Sequence, residues 1–169
     1  MELSAPGGWY RDGFGTASYR TNANLILSTF PLKALQESGE VDEDGNITPG
    51  GEASGVIKQC QAKPARGTSA CGYYAWLQGT SMASPHATGV AALAVGAHGK
   101  QGKAGFGMAP GAVRRLLLRS ATNHTCPAGG VQNYTNEERD ASYTARCLGS
   151  AERNGFYGEG IVNAWGVVR

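Results

Sequence analysis

No stretch of this 169-residue chain stays apolar for long. The longest apolar run lies around Val90 to Val95, far short of the roughly 20 residues a membrane-crossing helix requires. No basic start, apolar stretch and cleavage site follow one another in MELSAPGGWYRDG, so an export signal is not part of the chain as given. Charge of either sign is scarce. With 15 Lys and Arg against 13 Asp and Glu, the net +2 creates no field that singles out nucleic acid or an anionic membrane as partner, and neither is expected. The four cysteines include no CxxC pair, which argues against a structural zinc site. No cofactor is expected; DEDGNITPGGE superficially suggests a calcium loop, but Ile47 stands where the EF-hand glycine belongs, so an ordinary acidic turn is favoured over a loose structural calcium site that no motif supports. The GxSxG elbow of α/β-hydrolases is also missing, because Ala83 fills its last glycine position, and SMAS is not SxxK.

What the chain does have is glycine, 26 residues of it, about twice the usual share of roughly 7%. Such a chain is rich in turns and close backbone approaches. At this length one domain is expected, spanning 1–169. Leu25 to Phe30, closed by Pro31, reads as a buried strand. Asp44-Gly45 between Val41 and Ile47 reads as a hairpin turn, and 48–72 as a long loop around Cys60 and Cys71. Tyr73 to Leu77 is a second strand, turned by Gly79-Thr80-Ser81 into a helix that runs to about Val95. That helix is built from Ala, Gly, Val, Leu and Met without a polar face, which places it in the middle of a domain. After a Gly-Lys loop from Gly96 to Gly107, Ala109-Pro110 opens another helix, with Val113, Leu116, Leu117 and Ala121 on its apolar side. Arg114, Arg115 and Arg119 fall mostly outside that stripe and read as a solvated face. The even cysteine count favours two disulfides, for which three pairings are possible; the sequence neighbours Cys60 with Cys71 and Cys126 with Cys147 are preferred. Asn46, Asn123 and Asn133 begin N-x-T sequons, which chance supplies often.

The chemistry concentrates in GTSMASPHATGVAAL, from Gly79 to Leu93. A serine hydroxyl becomes a useful nucleophile when a base takes its proton, and it gains from a helix N-terminus and backbone amides facing the developing oxyanion. Ser81 sits where the amides are available. The glycine before it allows a substrate backbone to approach closely, and Pro85 is expected among the early helical amides that lack an intrahelical partner. Taken alone, such a serine is more often a plain helix cap.

The whole string GTSMASPH, followed by a small-residue helix, resembles the nucleophile motif of the subtilisin-like serine proteases, GTSMAxPHVxG. ELSAPGG is similar to the loop preceding that serine in the family, and YGEGIVNAW to the family's late YGxGxVxA segment; all three stand in the family's order. The departures are Ala87-Thr88 where Val-Ala is commoner, with the Gly-rich and cysteine loops as insertions. The resemblance implies an α/β fragment, the C-terminal part of a three-layer fold whose mainly parallel sheet is flanked by helices. It implies a secreted endopeptidase with an Asp, His, Ser triad, Ser81 taking the serine role and Gly79, Thr80 and Ser81 meeting the substrate backbone and oxyanion. The family's Asp and His motifs and its oxyanion Asn are not found in the chain. His86, five residues on in the same helix, is about 140° around and ~7.5 Å along the axis, out of reach of Ser81, and reads as a packing residue. A rearranged triad from His98, or from His124 oriented by Asp140, is the less favoured source of a base. The expected partners are a polypeptide substrate and an N-terminal half of the same domain, upstream of Met1, that carries the base. The alternative is a pseudoprotease or binding module that keeps the helix for packing alone.

Overall fold

The computed structural model describes residues 1–61, 70–103 and 105–169. The chain divides into two compact units, one of Gly8–Gln78 and one of Met1–Gly7 with Gly79–Arg169.

The unit Gly8–Gln78 is built on a three-stranded antiparallel sheet of order β1 (Ile26–Thr29), β3 (Cys71–Leu77), β2 (Ile57–Cys60). Leu27 faces Trp76, Ile57 faces Tyr74, and Cys60 faces Cys71, where the first disulfide closes the β2–β3 pair. Pro31 ends β1 and opens α1 (Leu32–Glu37), whose Leu35 is fully buried with Val41, Val56 and Tyr73. The Asp44-Gly45 turn forms as expected, though its arms shrink to one bridge between Val41 and Ile47. The Asp42 carboxylate accepts from the Asn46 amide at 2.7 Å, and those hydrogen bonds hold its pKa below the ordinary aspartate value. At the tip, the Gly45 carbonyl accepts from the Tyr73 hydroxyl at 2.7 Å and the Lys58 ammonium at 2.6 Å.

The expected loop 48–72 is not all loop. Its residues 62–69 lie outside the described residues, but it holds α2 (Pro49–Ser54) and β2. The Thr48 hydroxyl caps α2 by accepting from the Gly51 amide, Pro49 fits the first turn, and Gly55 ends it in the left-handed conformation. Gly51 is required by packing, since a Cβ there would lie 2.1 Å from the Glu40 carbonyl oxygen.

In the other unit, α3 (Thr80–His98) packs on α4 (Pro110–Ser120) and α5 (Ala164–Val168). Val90, Ala94 and Val167 form the buried centre, bordered by Val113, Leu116, Leu117 and Val162. A small hairpin of β4 (Lys100–Gly102) and β5 (Gly105–Gly107) follows α3, and residue 104 between them lies outside the described residues. β6 (Val131–Gln132) and β7 (Ala145–Arg146) make a second short antiparallel pair. The helix expected at the middle of a domain is covered here only along one line: Val90 and Ala94 are buried, whereas Leu93 is 48% exposed and Gly89 and Ala92 are exposed.

Sheets of the expected mainly parallel kind are not found among the described residues; every multi-residue strand pair is antiparallel. The β2–β3 and β4–β5 connections are too short for the crossover that parallel pairing needs, whereas β1 and β3 pair antiparallel although α1, α2 and β2 lie between them in the chain. Parallel pairing survives as one bridge, Ser4 with Ile161.

The second disulfide, Cys126–Cys147, ties the irregular segment after α4 to the residue that follows β7 and matches the preferred pairing. It encloses a loop long enough to contribute about 3 kcal/mol by restricting the unfolded chain. The double variant Cys126→Ala/Cys147→Ala is therefore expected to lose about that much unfolding free energy in a denaturant titration.

Asn154 is the buried polar anchor of the segment that follows. Its Oδ1 accepts from the amides of Phe156 and Tyr157, at 3.1 and 2.9 Å, and its Nδ2 donates to the carbonyls of His124 and Ser150, at 2.6 and 3.0 Å. Asn154→Ala leaves these groups without partners, and we expect a loss of about 2–4 kcal/mol in urea unfolding. Asn154→Asp, which keeps only the acceptor side, should also destabilise.

Candidate active site

The three sequence segments that carry the resemblance are joined by backbone hydrogen bonds within the unit of Met1–Gly7 and Gly79–Arg169. Glu159 donates its amide to the Glu2 carbonyl, Ser4 to Gly160, and Val162 to Ser4, so ELSAPGG lies along YGEGIVNAW. The same N-terminal segment reaches the nucleophile motif, because the Gly79 amide donates to the Gly7 carbonyl at 2.8 Å. Both glycines are needed there. A Cβ on Gly7 would come within 2.7 Å of the Gly79 carbonyl oxygen, and Gly79 itself sits at φ 135°, a conformation side-chain-bearing residues rarely adopt. The role of Gly7 was visible only through the ELSAPGG similarity; nothing in its local pattern marks it as a site residue.

β3 ends at Leu77 and α3 begins at Thr80, so the expected strand, turn and helix are present in that order. The Gly79 carbonyl accepts the first helical bonds, from Met82 at 3.0 Å and Ala83 at 3.2 Å. The amides of Thr80 and Ser81 precede those bonds and have no backbone acceptor among the described residues. With the 19-residue helix behind them, they give the turn a partial positive charge. Ser81 is exposed at this end. Thr80, Ala83, Ser84 and Ala87 form one wall of an adjoining cavity of about 280 Å³, with Met1, Leu3, Ser4 and Ala5 opposite. The space beside Gly79 is open, with nothing within 4 Å of where a Cβ would stand.

Pro85 lies deeper than expected. It is the sixth residue of α3, past the unpaired first turn, where an amide would have bonded the Ser81 carbonyl four residues back. That bond is missing at the residue that carries the nucleophile.

None of the three histidines is bonded to Ser81. His86 donates Nδ1 to the Met82 carbonyl at 2.9 Å, and its exposed ring does not have the packing role expected of it in this structure. His98 donates Nε2 to the Val167 carbonyl at 2.7 Å. His124 donates Nδ1 to the Thr125 carbonyl at 3.2 Å and stacks on Tyr157 with ring centres 4.2 Å apart. Asp140, the one carboxylate considered for orienting His124, instead accepts from the Ser142 side chain and amide, which lower its pKa. No group of three or more His, Cys, Asp or Glu suited to a metal occurs among the described residues.

A serine exposed at the positive end of a small-residue helix, behind a positive-φ glycine and beside an open groove, has the parts that serine-nucleophile hydrolysis uses. The family model described as the Subtilase family matches residues 2–160, and the chain belongs to that family. At family level it is a serine-peptidase hydrolase. No curated protein and no solved structure matches the chain.

Proposed function

We propose that this chain is the nucleophile-bearing, C-terminal part of a secreted serine endopeptidase. Ser81 Oγ attacks the scissile carbonyl of a polypeptide, and its proton passes to a histidine carried, with its aspartate, on polypeptide outside these 169 residues. The tetrahedral oxyanion forms beside the Ser81 amide at the N-terminus of α3, with a side-chain amide from the same outside polypeptide completing the hole. The amine leaves with the proton held by the histidine, and water then releases the acyl group from Ser81 by the same steps in reverse. Gly79 and Thr80 lie along the substrate backbone, where the open space beside Gly79 admits a chain.

The observation that carries this reading is the Gly7–Gly79 contact, which fixes the positive-φ turn just ahead of Ser81. The mainly parallel sheet belongs, in this reading, to the complete three-layer domain. Secretion is supported by the two disulfides, which form in oxidising compartments. Hydrolysis by the complete protein carrying Ser81→Ala is the test.

A pseudoprotease is the second reading, favoured by one observation: every histidine of the chain is bonded to a backbone carbonyl away from Ser81. Hydrolysis that depends on Ser81 would exclude it.

A further inference from the structure

The basic face of α4 divides into paired and unpaired cations. Arg114 is neutralised by Glu2, and Arg153, from the later segment, by Glu159 at 2.8 Å. Arg115 and Arg119 make no ion pair among the described residues, and neither does Arg169 at the end of the chain. These three arginines are not scattered. Together with His98 they line one cavity of about 490 Å³, whose remaining walls are Met108, Ala112 and Leu116. No Asp or Glu side chain lines it.

The elements around the cavity explain the convergence. Arg115 and Arg119 stand one turn apart on α4, so their like charges repel along one helix face. Arg169 reaches the cavity from beyond α5 and lies over the Trp165 ring at 4.4 Å, which holds a guanidinium without neutralising it. His98, at the end of α3, is fixed by its bond to the Val167 carbonyl.

The geometry points to a binding site for a phosphomonoester dianion, its phosphate held by Arg115, Arg119 and Arg169 and its organic body laid on Met108, Ala112 and Leu116. Guanidinium groups match phosphate oxygens with paired hydrogen bonds, and a doubly charged ligand relieves the repulsion of neighbouring arginines. The cavity falls in the size range of small-molecule sites, and its apolar wall gives an organic substituent surface to cover. The assignment does not depend on Ser81 being catalytic.

The test is titration of the protein with phenyl phosphate and with inorganic phosphate at constant ionic strength. Binding is followed calorimetrically and by the fluorescence of Trp165, which the Arg169 guanidinium covers. Saturable binding is expected for both probes, tighter for phenyl phosphate. Arg115→Gln/Arg119→Gln should weaken it by about tenfold or more. Lys103→Gln/Arg146→Gln removes the same two charges outside the cavity and should leave it within about twofold. Should the α4 variant fail to fold, Arg169→Gln, outside every helix, should weaken binding severalfold. Absence of saturation, equal weakening in both double variants, or unchanged binding in Arg169→Gln overturns the site; equal affinity for the two probes overturns the apolar half of it.

Discussion

In the complete protein, Ser81→Ala should abolish peptide hydrolysis while leaving the fold intact. The substitution removes one exposed hydroxyl that has no hydrogen-bond partner among the described residues, at a helix position where alanine is at least as favourable. Stability should therefore stay within about 0.5 kcal/mol of the parent. Catalysis should not, because an acyl-enzyme cannot form without the oxygen. Loss of the nucleophile in subtilisin, itself a subtilase, costs on the order of 10⁶ in turnover; that figure is carried over to Ser81 rather than obtained from this structure. Turnover with a fluorogenic peptide and urea unfolding of the same preparation separate the two effects. Retained turnover would end the assignment of Ser81, and a matching loss of stability would mean that the hydroxyl is structural.

The site was far more legible in the sequence than the sheet. Ser81, Gly79 and the helix behind them stand in a contiguous string, and local strings survive translation into structure because a strand, a turn and a helix are set by neighbours in the chain. The α3 and α4 helices begin where glycine and Pro110 place them, and β1 lies where an apolar run meets Pro31, although the strand expected to be buried is exposed from Leu27 to Thr29. What the sequence hid was non-local. Residues 57–60, Ile-Lys-Gln-Cys, have too little alternation to announce a strand, and they become one because β3 and the Cys60–Cys71 bridge give them a partner. The Gly50-Gly51 pair in α2 reads as a breaker, and only the closeness of the Glu40 carbonyl shows why a residue without a side chain is needed. The family likeness implies a mainly parallel sheet, but strand direction depends on how distant segments pair, and β1, β2 and β3 pair antiparallel. The same limit applies to Arg115 and Arg119, which read as an ordinary solvated face in the sequence and share one cavity with Arg169 and His98 in the structure.

The isolated chain of 169 residues, although it carries Ser81, should react with a fluorophosphonate probe no faster than its own Ser81→Ala variant. Phosphonylation of a serine by such a probe, in which an O–P bond forms and fluoride leaves, needs a base in contact with the hydroxyl, and positioned general-base catalysis is worth about 10²–10⁴ in rate. The three histidines that could supply it are held elsewhere, on the carbonyls of Met82, Val167 and Thr125. What remains at Ser81 is the helix N-terminus and its own amide, which stabilise negative charge but take no proton. Mixing with a polypeptide that carries the aspartate and histidine should restore stoichiometric labelling at Ser81, located by peptide mapping. Restoration requires that polypeptide to dock, and α3 offers it unfilled apolar surface: Leu93 is 48% exposed and Ala92 and Gly89 lie open beside it. The same surface should make the isolated chain self-associate at micromolar concentration, with light scattering falling when the complementing polypeptide is added. Rapid labelling of Ser81 in the chain alone would show that His98 or His124 leaves its carbonyl to serve as the base, and would overturn the outside origin of the catalytic histidine.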